Sequence, residues 1–186
     1  MSRRKPRLFS FAREVELSYF PDVGPGTPAW YVLSGAVSAF ASICEDRVLS
    51  PERLALVLAA AVHPHPSVCG LGTSRLAVLG HYFPEISTSF GELLAHPGLQ
   101  VRLFATTALS NAPTNMARTQ LLFALTDGEW QVRKAAAMVC SAIPIPGIQA
   151  DLAAARESER DARVRIVLQL AEELQASLAR GPAPST

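Results

Sequence analysis

The dipeptide Val-Arg recurs at Val101-Arg102, Val132-Arg133 and Val164-Arg165, at steps of 31 and 32 residues. Two other landmarks keep the step. His96-Pro97-Gly98 stands before the first dipeptide where Asp127-Gly128 stands before the second. Pro113 and Pro144, again 31 apart, close the segments that follow. A period of this length marks one supersecondary unit copied along the chain, each copy unable to bury its apolar face alone.

The apolar positions say what the unit is made of. Counted from Val132, offsets 0, 3, 4, 7, 8 and 11 hold Val132, Ala135, Ala136, Val139, Cys140 and Ile143. From Val101 they hold Val101, Phe104, Ala105, Ala108, Leu109 and Ala112. This is the stripe of a 3.6-residue helix. From Val164 the stripe holds Val164, Val167, Leu168 and Ala171, then turns polar at Glu172 and Gln175, as expected of a terminal repeat with its outer face in water. Shorter apolar helices are predicted between these, at 86–95, 115–125 and 147–156. The repeats therefore span 86–113, 115–144 and 147–178, each a helix, a short turn and a second helix stopped by proline. At the third turn Thr126 and Glu129 have capping-box spacing.

Upstream the pattern degrades. Ser50 and Pro51 predict the start of a helix over 51–62, paired with another over 74–83 capped by Thr73-Ser74, with His63 to Thr73 as the connecting loop. A mostly apolar helix is expected over 29–44 and an amphipathic one over 8–20. The expected organisation is a basic disordered arm at 1–7, one domain over 8–178, and a disordered tail at 179–186. Apolar residues are 49% of the 186 and aromatics 7%, so small aliphatics fill the interior, and alanine, the best helix former, dominates them. The fold class is all-α: a short α-α superhelix of about four helical pairs with extra amino-terminal helices.

An acid-bearing turn before Val-Arg and a small-residue helix, on a period near 31, resembles the HEAT and HEAT-like (PBS-lyase-type) repeats. The likeness covers about residues 86 to 178 and is best at 127–143. The first copy departs by carrying His96 in place of the turn acid, and the last by its charged Glu159-Arg160-Asp161. The resemblance implies a solenoid whose Asp and Arg residues form a ladder along the stack. The ladder set is Asp127 with Arg102, Arg133 and Arg165, and Arg75 is a fourth arginine placed early in a second helix. A cation in a helix's first turn opposes the helix dipole, so it needs such a partner, and Asp127, Glu129 and Asp161 are available. The rival reading is a basic stripe facing phosphates.

The resemblance also places second helices on the concave face. Offsets 2, 6 and 9 there give Leu103, Thr107 and Ser110; Lys134, Met138 and Ser141; Ile166, Leu170 and Glu173. Only Lys134 is basic, which disfavours a nucleic-acid groove. Net charge is +1, from 17 basic and 16 acidic residues, so nothing global attracts nucleic acid or a membrane. The candidate partner-binding set is Trp130, Lys134, Met138, Leu103 and Thr107. Trp130 either anchors a partner or covers the core between repeats.

His63, His65, His81 and His96 lie near Cys69, but their spacing matches no trusted zinc pattern, and three precede prolines as turn residues. No Gly-rich phosphate loop, His-Glu-x-x-His or Gly-x-Ser-x-Gly occurs, so no catalytic residue, metal or cofactor is expected. Cys44, Cys69 and Cys140 lack Cys-x-x-Cys spacing and no secretory signal is visible, so a cytoplasmic location is expected. The expected function is a non-enzymatic module binding another protein or peptide: an adaptor, scaffold or bacterial immunity-like inhibitor. The alternatives are a HEAT-like DNA-binding protein or alkylated-base DNA glycosylase, loosely suggested by Trp130 to Lys134, and a HEAT-like chromophore lyase supported by the period alone.

Overall fold

The computed structural model describes residues 22–180. The expected basic arm, the expected helix over 8–20 and residues 181–186 of the expected tail lie outside them. Among the described residues there are nine α-helices and no strand. They are α1 (Pro28–Asp46), α2 (Pro51–Ala61), α3 (Pro66–Leu79), α4 (Ile86–Leu94), α5 (Leu99–Ala108), α6 (Thr114–Ala124), α7 (Trp130–Ala142), α8 (Gln149–Ser158) and α9 (Ala162–Arg180). Among the described residues no helix is long and apolar enough to cross a membrane. The described residues divide into two compact units, the first ending at Arg75 and the second beginning at Leu76.

In the first unit, prolines start helices where their missing N–H costs nothing. Thr27 and Ser50 cap α1 and α2, their hydroxyls accepting from the N–H of Trp30 and Arg53 at 3.2 and 3.3 Å. The two helices pack on each other, and Leu33, Ala36, Val37, Ala60, Val68 and Leu71 form the core. The segment 63–73, expected as a loop, is helix from Pro66 onward, and the predicted helix over 74–83 ends at Leu79. Its Gly72 serves packing instead of a turn. A Cβ on Gly72 would lie 2.2 Å from the Ala61 backbone nitrogen, so α2 and α3 touch there backbone to backbone. Thr73, expected as a cap, is buried mid-helix and donates to the Cys69 carbonyl at 2.9 Å.

In the second unit α4 packs on α5, α6 on α7, and α8 on α9. Across pairs, α4 packs on α6, α5 on α7, and α7 on α9. The first helices α4 and α6 thus meet one another, and second helices meet second helices. Val132, Ala136, Val139 and Cys140 are buried on α7, with Val101, Ala105, Ala108 and Leu109 at the same offsets. A second buried line lies at offset 5, outside the expected stripe. Thr106 and Ala137 are fully buried there, while the equivalent Gln169 on α9 is exposed. Facing first helices are tied by the buried Gln120, which donates to the Ser87 carbonyl at 3.0 Å.

The expected polar end of the α9 stripe is corrected at Gln175. It is buried, and its Nε2 donates to the carbonyls of Cys140 and Ile143, both at 2.6 Å. Its Oε1 accepts from the N–H of Ile145 at 3.0 Å. Gln175 supplies the hydrogen bonds that the end of α7 lacks for itself. The chain is polar there because it closes a helix, and the surface open to water is the offset-5 line instead.

Candidate interaction surface

The second helices α5, α7 and α9 carry every residue expected at a site except the turn acid and Arg75, which lies on α3. Arg102 is the clearest starting point. Its Nε lies 2.8 Å from Asp127 Oδ2, and its Nη1 donates to the carbonyls of His96 and Pro97 at 2.9 and 3.1 Å. One guanidinium therefore ties the turn before its own helix to the turn of the next pair. Arg133 repeats the arrangement one period on. Its Nε and Nη2 donate to Glu159 at 2.7 and 2.9 Å, and its Nη1 to the carbonyls of Asp127 and Gly128 at 2.8 and 3.0 Å.

The acids also act alike. Asp127 Oδ1 accepts from the Glu129 N–H at 2.8 Å, and Glu159 Oε1 from the Asp161 N–H at 2.8 Å. Each carboxylate orders the turn that opens the next second helix while holding the arginine of the one before. The capping box expected of Thr126 and Glu129 is not what forms. Thr126 donates back to the Phe123 carbonyl, and the side chain of Asp127 takes the turn N–H. The hydrogen bond from Arg133 holds the Glu159 carboxyl below the usual carboxylate range and raises the Arg133 guanidinium in turn.

Two arginines expected on the ladder stand elsewhere. Arg165 is exposed and borders a shallow cleft with Arg156, Glu157 and Ile166. Among the described residues no following turn offers it a carboxylate, and Asp161 is taken by Arg163, at 2.6 Å. Arg75 lies over the Phe40 ring at 4.7 Å, and burial pulls its guanidinium down. Glu159, not Glu129 or Asp161, is the acid that meets Arg133, because it stands as far before Val164 as Asp127 stands before Val132.

Trp130 is half-buried at the first residue of α7, and the Arg163 guanidinium sits 3.5 Å above its ring. Arg163 is fixed in turn by Asp161, whose carboxyl it holds down at about 2. One face of the indole is thereby closed by α9. Of the other residues expected to meet a partner, Met138 and Thr107 are exposed, while Leu103 and Lys134 are half-buried. Thr107 donates to the Leu103 carbonyl at 2.9 Å, which satisfies its hydroxyl within the helix. The surface over α5 and α7 is therefore neutral except for Lys134, and Met138 stands 54% exposed on it.

The histidine-rich segment is internally bonded. His63 Nδ1 accepts from the His65 N–H at 3.1 Å, and Cys69 Sγ donates to the Ala61 carbonyl at 3.0 Å. Among the described residues no three His, Cys, Asp or Glu side chains converge as metal ligands would. Sequence reasoning missed Arg163, which has no repeat-equivalent arginine to announce it, and the continuation of the exposed apolar residues Ile166 and Leu170 to Leu174 and Leu178 along α9. No protein-family model, curated protein or solved structure matches this chain.

Proposed function

We propose that the chain is a HEAT-like α-solenoid that acts as a non-enzymatic interaction module, binding a partner protein on the second-helix face of α5 and α7. The observation that carries this reading is the fate of the arginines. Arg102 and Arg133, which in a nucleic-acid groove would face phosphates, are each bound to a carboxylate and two backbone carbonyls. What they leave on that face is Leu103, Thr107, Met138 and the single base Lys134. A neutral, partly apolar surface gains little from a polyanion, whose affinity comes from neutralised phosphates. It suits a peptide or protein whose apolar groups cover the Met138 side chain. The packing of like helices on like, and the ladder between successive turns, support the solenoid reading.

The test is affinity capture from the native cell with the wild-type chain and with a Thr107→Glu, Met138→Glu variant of unchanged helical content. One partner protein is expected with the wild type and lost with the variant. Retention on duplex DNA that weakens steeply with salt and disappears in Lys134→Glu would overturn the reading in favour of the nucleic-acid alternative.

A further inference from the structure

α9 carries a feature its repeat counterparts lack. Ile166, Leu170, Leu174 and Leu178 recur every fourth residue and are 69, 49, 38 and 54% exposed. The matching positions on α7 are Lys134, Met138 and Ala142, and on α5 and the turn after it Leu103, Thr107 and Asn111, so packing within the repeat does not require this row. α9 is also longer, at 19 residues against 13 for α7. The row spans about 18 Å at the rise of an α-helix.

We propose that this row is the contact through which the chain pairs with a second copy of itself. A row of period four runs inclined to its helix axis. Another helix meets it well when it presents the same kind of row, the two rows then lying parallel at a crossing near −50°. α9 itself supplies that row. A two-fold axis between Leu170 and Leu174 sets Leu170 against Leu174 of the second copy and Ile166 against Leu178, so all four are matched by an isologous contact. The exposed fractions amount to about 370 Å² of apolar surface per copy, within the roughly 300–600 Å² of the largest, often functional, patch on a monomer. Two copies together would bury about 740 Å² of apolar surface, and the polar residues flanking the row supply the rest of the roughly 1,200 Å² of a specific dimer. Exposed Gln169, Glu173 and Ser177 run beside the row and form its polar rim.

The experiment is sedimentation equilibrium on the full chain across the micromolar range and above, with circular dichroism on every variant. The expected mass is twice the 19.9 kDa of the chain, falling by half in Leu170→Glu. Leu178→Glu, two residues from the end of α9 and clear of its buried face, is expected to do the same and guards against a folding defect at Leu170. A wild-type mass of one chain at all concentrations overturns the proposal. So does a dimer that survives both substitutions.

Discussion

Arg102 reaches across to Asp127, twenty-five residues further on, through paired contacts of 2.8 and 3.3 Å, with both side chains largely shielded from water. Burial raises the cost of leaving either charge alone above that of a surface pair. Arg102→Ala and Asp127→Ala are each expected to lower stability by about 2 kcal/mol, and the double variant by much less than the sum. Urea unfolding of the four proteins measures this. Additive losses would show that the two side chains do not depend on one another.

Gln175 does for α7 what a cap residue does within its own helix. Gln175→Leu keeps the volume and strands the carbonyls of Cys140 and Ile143 and the N–H of Ile145. The expected loss is about 3 kcal/mol, since each buried unsatisfied group costs about 1 kcal/mol or more. Hydrogen exchange localises it, with Ile145 losing protection before the amides in the middle of α7.

How much of this was legible depended on whether a residue's role repeats. Val132, Ala136, Val139 and Cys140 were readable because their equivalents 31 residues earlier are apolar too, and a shared period exposes a shared packing rule. Arg102 and Arg133 were readable as a recurring pair for the same reason, while the choice among Asp127, Glu129 and Asp161 as partner was open, since His96 breaks the acid's recurrence. Gln175 and Gln120 were not, because a buried amide has the same letter as an exposed one, and only the partner backbone tells them apart. Glycine misled in the other direction. Gly70 and Gly72 read as a loop, since glycine weakens an isolated helix. The close approach of α2 and α3 reverses that, because there a missing side chain is what permits contact.

That reversal has a direct consequence. Gly72→Ala places a methyl group 2.2 Å from the Ala61 nitrogen and 2.5 Å from the Ala60 carbonyl carbon, both backbone atoms that cannot swing away. It is expected to destabilise by about 3 kcal/mol despite alanine's better helix propensity. Gly128→Ala, where nothing lies within 4 Å of the new Cβ, is expected within about 0.5 kcal/mol of wild type. Thermal denaturation of both distinguishes packing from propensity. A stabilised Gly72→Ala would mean that the two helices are not in backbone contact.

Acid should unlock the last turn. Arg133 lowers the pKa of Glu159, and Arg163 lowers that of Asp161 to about 2. A carboxyl whose folded value lies below its unfolded one contributes stability that is present above the unfolded value, near pH 4, and is lost as pH falls through the folded value. Denaturant unfolding at steps from pH 7 to pH 2.5 is therefore expected to show falling stability below about pH 4. Glu159→Gln binds one proton fewer on unfolding, so its curve should start lower at pH 7, fall less steeply, and approach the wild type at the acid end. Asp161→Asn should flatten the curve mainly at its most acid end. Two curves that stay parallel throughout would show that the Arg133 to Glu159 contact does not persist in the folded protein.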